Sequence, residues 1–362
     1  MLLTNCIATG GPTAVVYRMA QALQERGLAV AIWGLSTPAP GVVAPPGVPV
    51  RSFEMQKGTV WWAATGRLTR ELIADPPDVL HIHNYTTHVH GVRAARQAGV
   101  RKVVVSFHDF RLGRHRVANC RRLRTGLDRV IVLNETMREL YQRECWYTPK
   151  QMFVLSNAVD TQRFSPRPRD EALAVQWGVA AKDYVIGAVG GLNPNKGHRF
   201  LTRALPLVRR TLPNARLVLV GEGRDRRALG RLARRLGVER EVIFAGLQHD
   251  LPPWYSLMNL YVQPSLIESD PLAVHEAMAT GLPVVSTNRG GMPELLVQGE
   301  AGVLVPPGRP EALAEAIVAV AQDPARAAAL GAAGRRLSME KYDLGEYEAR
   351  LGQLYDELLR EG

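Results

Sequence analysis

Cysteine is scarce in this chain of 362 residues, occurring only as Cys6, Cys120 and Cys145. An odd number with no Cys-x-x-Cys spacing excludes a disulfide framework and a zinc site of the usual pattern, so the three are expected to be buried or half-buried thiols. Long hydrophobic runs are missing as well. Stretches such as Lys102–Ser106 and Arg216–Val220 have the length of strands and are cut by charge, far short of the roughly 20 apolar residues that cross a bilayer. The opening residues 1–8 have no basic region before them and run straight into a glycine loop and a helix pattern. They are therefore expected to form a strand rather than a signal peptide, in a cytoplasmic protein. Aromatic residues make up only 6% of the chain. Without an aromatic stacking platform or a recognition motif, basic charge alone does not indicate a nucleic-acid binder.

Positive charge is in surplus. The formal net charge is +11, which favours anionic partners without choosing among them. The basic side chains cluster between residues 101 and 129, including Arg111, Arg114, Arg116, Arg121, Arg122 and Arg124, against only Asp109 and Asp128, with Leu112, Val117 and Leu123 interleaved. Segment 111–124 is expected to lie against an acidic membrane surface or a lipid-phosphate acceptor, with a solvated basic loop as the alternative. A second arginine-rich run, residues 224–235, has Ala228, Leu229, Leu232, Ala233 and Leu236 at helical spacing and is expected to be an ordinary surface helix.

Apolar strand-length runs alternate with amphipathic helix-length stretches from end to end, the pattern of parallel sheets covered by helices on both faces. Two series are visible. The first has strands near 1–8, 28–36, 48–54, 78–84, 102–109 and 129–134, with helices starting at Gly11, Val60, His88 and Thr136. The second has strands near 184–189, 216–220, 241–245, 259–263, 282–287 and 302–305. Residues 157–168, rich in turn formers and proline, make a linker and an expected hinge. The fold class is thus α/β, two Rossmann-like domains: residues 1–160, residues 161–343, and a last helix pattern in 344–362 that returns to the first. Ligands of open parallel sheets sit outside the carboxyl ends of the strands, so functional motifs belong in strand-to-helix loops and a cleft is expected where the domains face each other.

The most informative loop runs from Pro264 to Val285. Glu268 and Glu276 flank a helix start at which Asp270 can cap and Pro271 can occupy the first position. The N–H groups of Leu272 and Ala273 would then be exposed at the positive end of the helix dipole, ready for a phosphate. Glu276, a turn further in, could accept two hydrogen bonds from a ribose diol, and Glu268 could hold sugar hydroxyls. The partial dinucleotide loop Val220-Gly-Glu-Gly-Arg-Asp-Arg226 has arginine where the third glycine of a dehydrogenase should be, which argues against that class.

Two glutamates at this spacing, followed by Ala277-Met-Ala-Thr-Gly-Leu-Pro-Val-Val285, resemble the signature of glycosyltransferase family 4. So do Gly10-Gly11, Asp78–Asn84, Val105–Asp109, Asn157–Asp160, Lys196-Gly197, Val220–Gly223 and Gly290–Glu294, in the family's order. The resemblance implies a GT-B fold and a retaining transferase that uses a nucleoside-diphosphate sugar, most often without a metal. No Asp-x-Asp pair of the metal-dependent transferases is present, and no cofactor is expected. The first domain would bind the acceptor and the second the donor, with uridine as the family's commonest donor base. By position the resemblance implies that Glu276 binds the ribose, Glu268 the donor sugar and Lys196 the diphosphate, that His108 contacts the donor sugar near its reacting carbon, and that Gly11 lets backbone amides approach a phosphate. Lys196 suits that role on its own residues, since lysine is rare in this arginine-rich chain and this one sits in a loop after a strand. His81 and His83 alternate onto one strand face, where they could simply pack. One departure stands out: Gly191 occupies the place of the family's usual arginine, and Arg289 or Arg199 is the candidate to supply the missing charge. A sugar-nucleotide epimerase on the same fold, or a degenerate homologue that binds without transferring, would carry the same motifs.

Overall fold

The computed structural model describes residues 1–5, 11–36, 45–55 and 61–361, without the side chains at positions 11, 12, 61, 62 and 86. Cys6 and Gly10 fall outside the described residues. The chain divides into two compact units, residues 1–157 with 345–362, and residues 158–344.

In the first unit the order is β1 (Leu2–Thr4), α1 (Gly11–Glu25), β2 (Ile32–Gly34), β3 (Val50–Ser52), α2 (Trp61–Ala74), β4 (Val79–His83), α3 (Tyr85–Ala98), β5 (Lys102–Ser106), α4 (Arg114–Leu123), β6 (Arg129–Val132), α5 (Glu135–Cys145) and β7 (Met152–Val154). The strands form one sheet in the order β3-β2-β1-β4-β5-β6-β7, parallel throughout. Strands β4, β5 and β6 are buried along their whole length, as strands covered by helices on both faces must be.

The second unit runs α6 (Glu171–Gln176), β8 (Tyr184–Val189), α7 (His198–Thr211), β9 (Ala215–Val220), α8 (Arg226–Arg235), β10 (Val242–Gly246), α9 (Pro252–Ser256), β11 (Leu260–Gln263), α10 (Leu272–Ala279), β12 (Val284–Thr287), α11 (Met292–Leu295), β13 (Val303–Val305), α12 (Pro310–Gln322) and α13 (Pro324–Lys341). Its parallel sheet has the order β10-β9-β8-β11-β12-β13. The chain winds outward from β8 in one direction and, after β10, crosses back to β11 on the other side. The crevice between the ends of β8 and β11 is therefore the switch point of this sheet, where ligands of doubly wound folds bind.

The last helix, α14 (Leu344–Arg360), belongs to the first unit from Gly345 onward. Leu351, Leu354 and Leu358 are fully buried there, each contributing about 1.5–3 kcal/mol by area removed from water. Arg350 donates to the carbonyl of Val154, and Arg129 pairs with Glu361 at 2.8 Å.

Several expected boundaries move. Strand β7 and helix α4 were not legible as elements: β7 is three residues long and half-buried, and α4 buries only Cys120 and Leu123 among its arginines. Helix α3 begins at Tyr85 rather than His88. In α8, Ala228 is exposed, and Leu229 and Ala233 carry the buried face.

Candidate functional site

The loops after β8 and β11 meet through their backbones. The 3₁₀ turn Pro194–Lys196 is capped by Asn193, whose side chain accepts from the N–H of Asn195, and Leu266 N–H donates to the Asn195 carbonyl at 2.8 Å. Gly197 then turns with φ +69°, and a Cβ there would stand 1.9 Å from the Pro264 carbonyl oxygen. Only glycine allows that approach. It places Lys196 beside Glu268, Nζ to Oε1 at 2.7 Å, although 72 residues separate them.

Glu268 is held on one side. Its Oε1 accepts from Lys196, from the Ser265 hydroxyl at 2.6 Å and from the Gln263 amide at 3.1 Å, while Gln263 is itself oriented by the Tyr261 hydroxyl at 2.5 Å. Gln263, Ser265 and Tyr261 are buried, so the donors are pre-set. Among the described residues no donor engages Oε2, which leaves that oxygen available as an acceptor. The Glu268 carbonyl takes the N–H of Gly291 at 2.9 Å, which draws the loop carrying the exposed Arg289 to the same place. Arg199, in the first turn of α7, rests its guanidinium on Phe200.

Helix α10 begins at Leu272 with Pro271 as its cap residue. The expected Asp270 cap is not made. The Asp270 carboxylate turns inward to His275 Nε2 at 2.5 Å, a buried pair that ties the Glu268 loop to the helix. The first helical turn closes with Val274 N–H on the Pro271 carbonyl, and the N–H groups of Leu272 and Ala273, both half-buried, precede it without an acceptor among the described residues. Glu276 accepts from the Tyr255 hydroxyl at 2.7 Å. Burial, and then the Glu276 charge, raise that phenol well above the ordinary tyrosine range, so it stays protonated and donates to the carboxylate.

Gly191 lies in the same loop system, exposed, with ordinary backbone φ. A Cβ there would meet only Asn193 Nδ2 at 3.5 Å and the Glu222 carbonyl at 3.9 Å. The missing arginine is thus not forbidden by the backbone. His198 was overlooked in the sequence: it opens α7 buried, and desolvation first, then the Lys196 charge, lower its pKa to about 4, so that a neutral ring underlies the lysine.

In the first unit, His108 follows β5 and is half-buried. Its loop is tied by Phe107 N–H to the Ile131 carbonyl at 2.9 Å and by the Tyr141 hydroxyl to the Asp109 carbonyl at 3.0 Å. Asp109 is spent on Arg116 and the N–H of Arg111. Gly11 opens α1 after the undescribed residues 6–10. Among the described residues no cluster of three His, Cys, Asp or Glu could hold a metal ion, and no helix is long and apolar enough to cross a membrane.

Two Rossmann-like parallel-sheet units of this kind match the fold of GT-B glycosyltransferases. The structure superposes on that of Anabaena HepE, solved in complex with UDP, with a TM-score of 0.86 at 22% identity, covering 98% of this chain and 99% of that one. Residues 183–323 match the description "Glycosyl transferases group 1" and residues 9–163 match "Glycosyltransferase Family 4". The chain is 33% identical over 276 residues to the GDP-mannose-dependent alpha-(1-6)-phosphatidylinositol monomannoside mannosyltransferase of Mycolicibacterium smegmatis, covering 72% of this chain and 71% of the relative. It is 30% identical over 326 residues to a GDP-mannose-dependent alpha-mannosyltransferase of Mycobacterium tuberculosis, covering 84% and 82%. The chain belongs to glycosyltransferase family 4 and is a glycosyltransferase.

Proposed function

We propose that the protein transfers mannose from GDP-mannose, with retention of configuration, to a lipid-linked acceptor that carries phosphate. The observation that carries the donor site is the Lys196–Glu268 pair at the β8/β11 switch point, backed by Ser265 and Gln263. Lys196 has two further N–H donors for the diphosphate, and the N–H groups of Leu272 and Ala273 add the positive end of α10. Glu268 Oε2 accepts from the sugar hydroxyls, Glu276 binds the ribose, and His108 contacts the sugar near its reacting carbon. These residues offset the negative charge of the departing nucleoside diphosphate while positive charge builds on the sugar. The acceptor attacks from the face on which the leaving group departs, and a leaving phosphate oxygen takes its proton. A covalent double displacement would need a free carboxylate nucleophile; Asp270 is instead buried against His275, and Asp109 is paired with Arg116.

GDP-mannose is favoured over a UDP-sugar because both curated relatives quoted above are named as GDP-mannose-dependent. Thermal unfolding with GDP, UDP and ADP separately tests this. GDP at about 100 times its dissociation constant is expected to add roughly 2.7 kcal/mol of stability, with no comparable shift from UDP, and Glu276→Ala is expected to abolish the shift. A shift with UDP alone would replace the donor, and none with any nucleotide would remove the donor site. Release of nucleotide that rises well above the slow background with water once acceptor is added separates transfer from epimerisation, which needs no acceptor.

The acceptor reading rests on the basic segment and on the name of the first relative. Within that segment Arg116 pairs with Asp109, while Arg121 and Arg124 lie over the Trp146 ring. Arg111, Arg114 and Arg122 are exposed, and so is Trp146 at 54%. These are the groups proposed to touch an anionic lipid surface. Binding to vesicles containing phosphatidylinositol is expected to be salt-sensitive and to weaken about fivefold for each of Arg114→Ala and Arg122→Ala, about 1 kcal/mol apiece. Salt-insensitive or absent binding would leave a soluble acceptor.

A further inference from the structure

Three imidazoles of the first unit stand in a row. His81 and His83 share one face of β4, with ring centroids 4.5 Å apart and planes within 18°. His83 and His108 lie nearly in one plane, 11° apart with centroids at 5.5 Å, and His83 Nδ1 is 3.2 Å from His108 Nε2. The far end of the row is anchored: His81 Nδ1 meets the Tyr355 hydroxyl of α14 at 2.8 Å, and its Nε2 meets Ser106 Oγ at 2.7 Å. Tyr355 is buried, and burial pushes its hydroxyl far above the ordinary range, so it stays protonated with a proton to share with His81 Nδ1. Desolvation foremost, and then neighbouring rings, hold His81 and His83 neutral, His81 down to about 3.

His83 has one proton to place. Its Nε2 is buried with no partner among the described residues. A proton there would be an orphaned buried donor, which is rarer in native structures than an under-used acceptor. The proton therefore sits on Nδ1, facing His108. We propose that His83 is a positioning residue for His108, donating Nδ1–H to His108 Nε2 and so holding His108 in its ring plane as the Nδ1–H tautomer. His108 then meets a sugar hydroxyl as a donor through Nδ1. This rests on the reading above that His108 contacts the donor sugar; His81, clamped by Tyr355 and Ser106, supports the His83 ring from behind.

The tautomers are read from long-range proton–nitrogen correlation spectra of protein labelled with ¹⁵N-histidine, the His108 signal being identified by its loss in His108→Ala. Wild-type His108 is expected as Nδ1–H. In His83→Phe, which keeps a flat ring against His81 but removes the hydrogen bond, His108 is expected to move toward the Nε2–H form that imidazole ordinarily prefers in water. Release of GDP from GDP-mannose with water as acceptor is expected to fall about ten- to a hundredfold in kcat in His83→Phe, as for a misplaced contact group, with KM unchanged within about threefold. His83→Asn, whose amide N–H takes the place of Nδ1–H, is expected to restore most of the loss. Wild-type His108 found as Nε2–H, or full turnover in His83→Phe, overturns the proposal. The wild-type spectrum decides it even where a variant fails to fold. Full turnover in His108→Ala would overturn the sugar-contact reading itself, whereas loss in His108→Ala with full turnover in His83→Phe overturns only the positioning role.

Discussion

Lys196→Ala is expected to lower the turnover of the nucleotide sugar by about 10²- to 10³-fold, the cost of removing one pre-set donor from a developing negative charge. The lysine is fixed before any ligand arrives: the 3₁₀ turn capped by Asn193 and the close approach of Gly197 to Pro264 hold its ammonium 2.7 Å from Glu268. Its removal also takes one of three donors from Glu268 Oε1, but Ser265 and Gln263 remain, so the glutamate is expected to keep its place and the protein its fold. The measurement is steady-state nucleotide release beside a thermal unfolding control. A kcat within about threefold of wild type, with an unchanged melting temperature, would mean that the diphosphate is held elsewhere.

Gly191→Arg is expected to act in the opposite direction and raise kcat about ten- to a few-hundredfold, the equivalent of one charge-assisted hydrogen bond of roughly 1.5–3 kcal/mol made to the leaving group. The position accepts a side chain: it is exposed, its φ is not in the left-handed region, and a Cβ meets nothing closer than 3.5 Å. Removing a glycine at such a site also narrows the unfolded ensemble, so stability is expected to rise by about 0.4–1 kcal/mol. Unchanged turnover would show that the cation is already supplied. Arg289 is then the residue to test, because Gly291 N–H on the Glu268 carbonyl keeps its loop at the site. Arg289→Ala with full turnover and full donor affinity would remove it from consideration.

Most of the fold was legible because parallel strands buried on both faces leave continuous apolar runs, as in Val103–Val105 or Tyr184–Val189. Where an element buries little, the signal fails: α4 is rich in arginine and has two buried residues, and β7 offers three residues. Local rules also misjudged Asp270. The spacing Asp-Pro before an apolar run describes a cap, yet the side chain found a buried histidine five residues on. The expected basic membrane segment shrank for a similar reason, since Arg116, Arg121 and Arg124 turned to partners of their own.

The sequence by itself determined that there are two parallel α/β units, that the second carries a helix start between two glutamates, and that the chain resembles family 4. Each of these is written in short-range patterns of polarity, glycine and proline. Only the tertiary structure decided which distant groups touch. Strand order brings the loops after β8 and β11 together, so that Lys196 reaches Glu268, and β4 and β5 lie side by side, so that His83 reaches His108. The return of α14 puts Tyr355 against His81, 274 residues away. Contacts at such separations depend on how sheets are wound and helices docked, and no local pattern in the sequence encodes them.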